Sequence, residues 1–341
     1  MLIPILFVFV TLATVRAFNV SDCVRHGEPQ WFCDYMQTHD RQYKTHGEAK
    51  ARLQRVQQSM RLRSRSGVLF GPTSRSDRFK NELQRNHALL HETHLSLMRS
   101  APEKHVHLGA PRHLPPIDWR THNGRSYVSP VKDQGSCGGC FAFASATVLE
   151  YWSKVDGFPK SLSPQALMDC TSGSGRPDDF CDGGLMEYVF EYAKRHPVPL
   201  DVDVPYQEDA DVCPQQLTSH VRVNNYRVLV REETPKAESE IEWLLHAYGP
   251  VTVGVDSTTM DHYKGGVFKG SMCTTDIDHA VTIIGYTEDA WIIKNSWGSD
   301  WGVDGYLYLE KGTNACGVAE YIVYVTDAQP ALEQMSTTWQ Y

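Results

Sequence analysis

The sequence predicts an α+β protein in which a helical lobe precedes a β-rich lobe. Residues 140–152 are an apolar run without Gly or Pro, which is typical of a buried helix. From residue 220 onward the chain consists of short alternating or apolar segments separated by Gly and turn residues, which is typical of strands. Because clefts between lobes are common sites, we expect the functional site between the two halves.

The N-terminus has the pattern of a secretory signal peptide. The segment MLIPILFVFVTLATVRA is a short apolar block that ends in a small-x-small triplet, which predicts cleavage after Ala17. No later segment approaches the ~20 consecutive apolar residues that a membrane-spanning helix needs. We therefore expect a protein of the secretory pathway, lysosomal or extracellular, without a membrane anchor, in a compartment that permits disulfides.

Charge divides the remaining chain into two parts. Residues 18–113, called the leader below, contain 16 Lys and Arg against 9 Asp and Glu, whereas residues 114–341, called the body, contain 16 against 32. A basic leader could be a nucleic-acid arm, a solvated tail or a prosegment docked on the acidic body. Nucleic-acid binding is the weakest of these because no aromatic residues interleave the basic ones. If the leader docks by charge, acid should loosen it by protonating carboxylates.

The leader itself should contain a small helical module. An aromatic cluster, WFCDYMQTHDRQY, is followed by Leu53, Val56 and Met60 at helical spacing after Glu48 and Arg52. The next boundary lies in SAPEKHVHLGAPRHLPPIDW, whose Pro, Gly and His favour an extended, cleavable chain. We place it near residue 113.

Helices and strands in the body follow in that order. A core helix should begin at or next to Cys140 and run to residue 152, with further helical character in SPQALMDC and GLMEYVFEYAKRH. The predicted strands are HVRVNNYRVLV, PVTVGV, HAVTIIGY, AWIIKNSW and GYLYLEK.

Nine cysteines in an oxidising compartment leave at least one thiol outside a disulfide. Such a thiol is either a buried inert residue, half of an intermolecular bridge, or a reactive group. Two of the nine, Cys137 and Cys140, form a C-x-x-C pair. A zinc site would need a second Cys or His pair, which is missing, and a thioredoxin-type redox pair would need a compact βαβ context.

A third interpretation makes Cys140 a nucleophile. Backbone N–H groups and the positive end of the dipole at a helix N-terminus favour thiolate. Such a thiolate needs a base that is held by a third group. His279 and Asn295, on two neighbouring predicted strands, could supply both.

These residues stand in an ordered set of motifs. The motifs are Gln134 with GSCGGCFAF, MDC, CDGGLMEY, GGVFKG, DHAVTIIGY, KNSWGSDWG and CGVAEY. With them the chain from Leu114 to Thr326 closely resembles the papain-like cysteine proteases, in particular the cathepsin L-like branch. The resemblance implies the papain-like two-lobe fold, with a helical left lobe, a β-barrel-like right lobe and the cleft between them.

The same resemblance implies roles for single residues. Cys140 would be the nucleophile, His279 its proton partner and Asn295 the group that orients the imidazole. Gln134 and the Cys140 N–H would form the oxyanion hole. Trp297 and Trp301 would shield the His279–Asn295 contact, although both could be plain core residues. No metal or cofactor is implied.

Disulfides and the substrate groove are also implied by the resemblance alone. Cys137 would pair with Cys181, Cys170 with Cys213 and Cys273 with Cys316, which leaves Cys23 and Cys33 to pair in the leader by parity. The groove residues would be Gly183 and Gly184, whose backbone can pair with an extended peptide, and Met186, Ala280 and Tyr321, which would line an apolar pocket for the second residue before the cut bond. An apolar lining favours Leu, Val or Phe there.

Two functions remain open at this point. The first is a cysteine endopeptidase made as a zymogen, because no long His-bearing insertion like that of cathepsin B lies between Cys181 and Cys213. The second is a catalytically weak relative that binds peptides.

Several residues depart from the family pattern. Phe141 stands where Trp is usual and Gly139 where Ser or Ala is usual, and Val56 and Ser59 replace the usual Phe and Asn of the prosegment helix. Implied partners are protein and peptide substrates, the prosegment as an intramolecular inhibitor and cystatin-type inhibitors, with the protein a monomer.

Overall fold

The computed structural model describes most of the chain. The described residues are 16–62, 64, 66–85, 114–154, 160–171, 180–209, 211–214, 217–230 and 237–330. Nearly all of the predicted signal peptide and the predicted boundary near residue 113 lie outside them.

The leader forms the helical module that its sequence predicts. Its elements are α1 (Val20–Arg25), α2 (Gln30–Thr38), α3 (His46–Ser59), β1 (Leu69–Phe70) and α4 (Lys80–Arg85). The Thr45 hydroxyl accepts a hydrogen bond from Glu48 N at 3.1 Å and so caps the start of α3. Phe32, Met36 and Val56 are buried in a small core of the leader's own.

A helical lobe opens the body. It contains α5 (Cys140–Trp152), α6 (Pro164–Thr171) and α7 (Met186–Arg195). Every residue of α5 from Cys140 to Glu150 is buried, which confirms the predicted core helix. The helix needs no amphipathic pattern because its whole circumference packs against protein.

The second lobe is built on an eight-stranded sheet. Its strands are β2 (Ile117–Asp118), β3 (Val221–Val230), β4 (Val251–Val255), β6 (Val267–Phe268), β7 (His279–Tyr286), β8 (Ala290–Lys294), β9 (Tyr306–Glu310) and β10 (Tyr321–Pro330). The order is β3-β10-β4-β7-β8-β9-β6, with β2 also paired to β7. A separate strand, β5 (Tyr263–Gly265), pairs with β1 of the leader.

Two elements correct the sequence prediction. Helix α8 (Ala237–Tyr248) lies in a region expected to be β throughout, and its buried residues Ile241, Leu244 and Leu245 follow helical spacing. Strand β10 continues past residue 326 to Pro330 because its backbone pairs with β3 as far as Val221. Residues 327–330, which the sequence left unassigned, therefore belong to the sheet.

The two predicted lobes are confirmed. One hydrophobic cluster lies around the sheet and α8, and a second joins α5, α6 and α7 to strands β3 and β10. The lobes meet where α5 packs on β7, and the Thr282 hydroxyl donates to Ala144 O at 2.9 Å across this junction. None of the described helices has the length and hydrophobicity to cross a bilayer.

Four disulfides cross-link the chain. They join Cys23 to Cys33, Cys137 to Cys181, Cys170 to Cys213 and Cys273 to Cys316, which is the pairing that the sequence analysis expects.

Candidate active site

Cys140 is the first residue of α5 and is fully buried. All nine cysteines lie in the described ranges, and Cys140 is the one that is not in a disulfide. Its position at the N-terminus of a 13-residue helix favours the thiolate. A Cβ on the preceding Gly139 would lie 2.6 Å from Met168 Sδ, so a larger residue there would require the Met168 side chain to move.

A buried hydrogen bond joins His279 to Asn295. Asn295 Oδ1 accepts from the Ser296 backbone N at 2.8 Å, and since that N–H can only donate, the atom facing it is the amide oxygen. The same oxygen lies 2.8 Å from His279 Nε2, so this nitrogen carries the proton. In a neutral imidazole Nδ1 is then the nitrogen that can take a proton from a nucleophile.

Gln134 is fixed by its neighbours in both its backbone and its side chain. Its backbone N donates to Ser296 O at 2.8 Å, and its side-chain oxygen accepts from Ser296 Oγ at 2.5 Å. Its amide nitrogen donates one hydrogen to Cys137 O at 2.9 Å, three residues before Cys140. The side-chain amide, with two N–H groups, is thus held in one orientation near the nucleophile.

Trp297 covers the imidazole. Its ring stacks on that of His279 with the centroids 4.8 Å apart and the planes 29° from parallel. Trp301 packs edge-on against Trp297 and donates its Nε1–H to Met260 O at 3.0 Å. Both indoles are fully buried, so they exclude water from one side of the His279–Asn295 bond.

The two glycines expected in the groove are half-buried. Gly183 has φ of +111°, a backbone conformation that favours glycine. A Cβ on Gly184 would lie 2.7 Å from the ring of Phe141, so this glycine leaves room for that ring. Phe141, which stands where Trp is usual, is thereby packed directly between the nucleophile's helix and the groove.

Met186, Ala280 and Tyr321 belong to the same buried cluster as Cys140. Tyr321 is fully buried, and its hydroxyl donates to a carboxylate oxygen of Glu187. Burial and the nearby Glu187 charge raise the pKa of Tyr321 well above its usual range. The phenol therefore stays neutral, and it gives this otherwise apolar cluster one polar contact.

A buried charged group lies directly behind Asn295. Lys294 Nζ donates to Ser129 Oγ at 2.8 Å. The carboxylate of Glu150, which is 1% exposed, has its Oε2 3.9 Å from Lys294 Nζ. Burial lowers the pKa of Lys294 to about 8, although Glu150 opposes the shift. Lys132 also pairs with Glu150, at 3.2 Å, so the carboxylate serves two ammonium groups between the lobes.

The leader lies across the active-site side of the body. Strand β1 pairs antiparallel with β5, and beyond it Gly71 N donates to His262 O at 3.0 Å. Further along, Ser76 Oγ lies 3.1 Å from His262 Nδ1. Burial lowers the pKa of His262, as do the charges of Arg55 and Arg75, while Asp261 raises it.

Arg75 of the leader is buried against the body. Its Nε donates to Asp261 Oδ1 at 2.8 Å, and its guanidinium carbon lies 3.8 Å from the centre of the Trp297 ring. Thr73 Oγ1 donates to Asp261 O at 2.9 Å beside it. The leader thus contacts the indole that stacks on His279.

Sequence reasoning missed several of these residues. Ser296, next to the expected Asn295, could have been found from its place in the KNSWG motif. Arg75 lies in a Ser- and Arg-rich run that suggests an exposed chain, and its partner Asp261 is distant in sequence. No local pattern reports such a contact.

The described residues contain no group of three or more His, Cys, Asp or Glu that could hold a metal ion. What the site offers is a cysteine at a helix N-terminus, an imidazole held by an amide, and a fixed amide donor. Such a set can carry out acyl transfer through a covalent thioester.

Comparisons with known proteins agree with this chemistry. A family model described as papain family cysteine protease matches residues 114–326. A cathepsin L-like proteinase of Phaedon cochleariae is 30% identical over 325 residues, which cover 87% of this chain and 93% of that protein. Cysteine endopeptidase RepA of Oryza sativa subsp. japonica is 37% identical over 60% of this chain, a match that spans just over half, 56%, of the rice protein.

A solved structure extends the similarity to the leader. Digestive procathepsin L 3 from the larval midgut of Tenebrio molitor superposes with a TM-score of 0.72 at 27% identity. The match covers 89% of this chain and 98% of that one.

Proposed function

The chain belongs to the papain family of cysteine proteases, and we propose that it is the zymogen of a cysteine endopeptidase with Cys140 as nucleophile. The observation that carries the proposal is the buried hydrogen bond from His279 Nε2 to Asn295 Oδ1. It leaves Nδ1 as the basic nitrogen on the strand that packs against the helix of Cys140.

The reaction would proceed by two acyl transfers. The Cys140 thiolate attacks the peptide carbonyl carbon, and the protonated His279 gives its proton to the leaving amine as the C–N bond breaks. Water then attacks the thioester, with His279 as base, and restores the thiol. Gln134 and the Cys140 N–H would stabilise the oxyanion in both steps.

Substrate choice would follow from the residues around the nucleophile. We propose that Gly183 and Gly184 hold the substrate backbone, and that Met186, Ala280 and Tyr321 contact the second residue before the cut bond. Their apolar surfaces favour Leu, Val or Phe at that position. The Tyr321–Glu187 contact supports this, because it keeps the tyrosine ring in one place.

The leader would act as the inhibitory prosegment. We propose a signal peptide of residues 1–17, an inhibitory leader of residues 18–113, and cleavage near residues 109–116. Phe18, the residue after the proposed signal cleavage, is buried and exchanges backbone hydrogen bonds with Tyr43. Maturation in the secretory pathway, in a lysosome or outside the cell would then expose the groove.

Peptide hydrolysis tests the proposal. The matured protein should cleave a fluorogenic peptide with Leu or Phe followed by Arg before the cut bond, at mildly acidic pH with a reductant. The Cys140→Ala variant should be silent. Equal silence from both proteins, folded and fully processed, would instead indicate a peptide-binding relative without catalysis.

A further inference from the structure

Arg75 of the leader is buried in a way that is unusual for an arginine. Only 2% of the residue is exposed. Of its three nitrogens, Nε bonds Asp261 at 2.8 Å, whereas within the described part of the chain Nη1 and Nη2 have no hydrogen-bond partner. Desolvation lowers its pKa, while the charges of Asp261 and Asp133 raise it.

The body supplies one aromatic ring and two carboxylates that attract the guanidinium of Arg75. Its planar faces are weakly hydrated and stack well on aromatic rings, and Trp297 provides such a ring at 3.8 Å. Asp261 provides a charge-assisted hydrogen bond, and Asp133, which is bridged to Trp297 through the backbone, adds a second negative charge. These three body residues, Trp297, Asp261 and Asp133, are called the guanidinium site below.

The guanidinium site adjoins the group that would handle the leaving amine. Trp297 stacks on the imidazole of His279, which in the proposed mechanism protonates the amine of the departing peptide. The residues that follow the cut bond must therefore pass close to this imidazole. A side chain on that half of a substrate is in reach of the Trp297 ring.

We propose that, once the leader is removed, the guanidinium site binds an arginine on the C-terminal side of the substrate's cut bond. This specificity rests on the proposed peptidase function. Arg75 occupies the site in the zymogen, so the leader blocks the substrate's arginine as well as the groove. The enzyme should then prefer proteins that have an apolar residue at the second position before the cut bond and an arginine within a few residues after it.

Paired peptides test this with the matured enzyme. Quenched fluorescent peptides share Phe-Arg before the cut bond and carry either Arg or citrulline at the first, second or third position after it. Citrulline keeps the shape of arginine and removes its charge. A separate reference peptide carries only Ala and Gly after the bond.

At one of the three positions we expect kcat/KM to be about tenfold higher for Arg than for citrulline. Asp261→Asn should lower this ratio, because it removes the carboxylate that accepts directly from the guanidinium, while Asp300→Asn should keep it. Asp300 is a matched control because it removes the same charge from a carboxylate that faces His39 of the leader rather than Arg75.

Equal cleavage of the Arg and citrulline peptides at every position, with the reference peptide turned over, would overturn the specificity and leave the peptidase function standing. No turnover of any peptide would overturn both. The wild-type comparison needs no variant, so poor folding of Asp261→Asn cannot hide the answer.

Discussion

The leader and the body are built on different kinds of contact. The body has two extensive apolar cores and three disulfides of its own. The leader has one small core and a single disulfide. Where the two meet near the cleft, many of the contacts are polar, such as those of Arg75 with Asp261 and of Ser76 with His262.

This difference suits the proposed role of the leader as an inhibitor that is removed on maturation. Most of the hydrophobic contribution to the body's stability comes from surface buried within the body, to which the leader adds Val68 and the half-buried Phe70, so removing the leader should leave the body folded. Polar contacts at the junction respond to pH and salt, so the leader can be released without unfolding the enzyme. Changes in the body away from the leader should alter catalysis or stability of the matured enzyme, and changes in the leader, or in body residues that contact it, should alter maturation.

Gln134 should give the largest effect, and it lies wholly in the body. Gln134→Ala should lower kcat of the matured enzyme by a hundredfold to a thousandfold, because one oxyanion donor is lost. Ser296→Ala should lower kcat by a smaller factor, since the Gln134 side-chain amide keeps its hydrogen bond to Cys137 O. Steady-state kinetics measure both effects. A Gln134→Ala enzyme with normal kcat would contradict the role of Gln134 as an oxyanion donor.

Glu238 on α8 tests the body's independent stability. Its carboxylate accepts from Trp291 Nε1 at 2.9 Å, Gly312 N at 2.6 Å and Asn314 N at 2.5 Å. Glu238→Ala leaves three donors without this acceptor, and we expect a loss of about 3 kcal/mol or more in the free energy of unfolding.

Urea denaturation of the matured enzyme measures this loss. The exposed Glu288→Ala is the control and should change stability by less than ~0.5 kcal/mol. Equal stability of the two variants would contradict the stabilising contribution that we assign to the Glu238 carboxylate.

The leader disulfide tests the other side of the comparison. Replacing both Cys23 and Cys33 by Ala removes a short loop constraint, and we expect the leader to lose about 2.5 kcal/mol of stability. The zymogen should mature faster in acid, while the matured enzyme keeps its kcat/KM. A change in the activity of the matured enzyme would contradict the claim that the leader affects maturation without affecting the matured enzyme.

His262 should give the smallest effect, a change of a few-fold. In the zymogen, burial and the charges of the leader's Arg55 and Arg75 lower the pKa of His262, while Asp261 raises it. The docked leader therefore disfavours protonated His262, and its affinity should fall as pH drops through the pKa of the undocked residue and then through the lower docked one.

His262→Gln should flatten this dependence. Maturation half-times between pH 7 and pH 5 should change less in His262→Gln than in the wild type, with His196→Gln, at the end of α7, as control. An unchanged pH profile in His262→Gln would leave the carboxylates of the acidic body, which attract the basic leader, as the acid sensors.

Much of this arrangement follows from the sequence because the signals are local. A cysteine at the start of an apolar run predicted α5, and alternating segments predicted β7, which begins at His279, and β8, which ends one residue before Asn295. Helix α8 was missed because its segment lies among strands, although Ile241, Leu244 and Leu245 show a helical stripe.

Other features depend on partners far along the chain. Gly139 is explained only by the sulfur of Met168, which a helix later in the lobe brings against it. The burial of Arg75 depends on Asp261 and Trp297, which the fold brings to the leader from distant segments. Sequence spacing carries no record of such contacts, since tertiary packing alone creates them.

Alkylation of Cys140 by iodoacetamide tests the central claim most directly, because the other eight cysteines form disulfides. Intact mass and alkylation rate would be followed across pH for the zymogen and the matured protein. We expect one adduct on the matured protein, still formed quickly well below the ~8.5 pKa of an ordinary thiol, and none on the zymogen. Alkylation of the matured protein that rises only near that ordinary pKa, or equal labelling of both forms, would contradict a leader-blocked thiolate at Cys140.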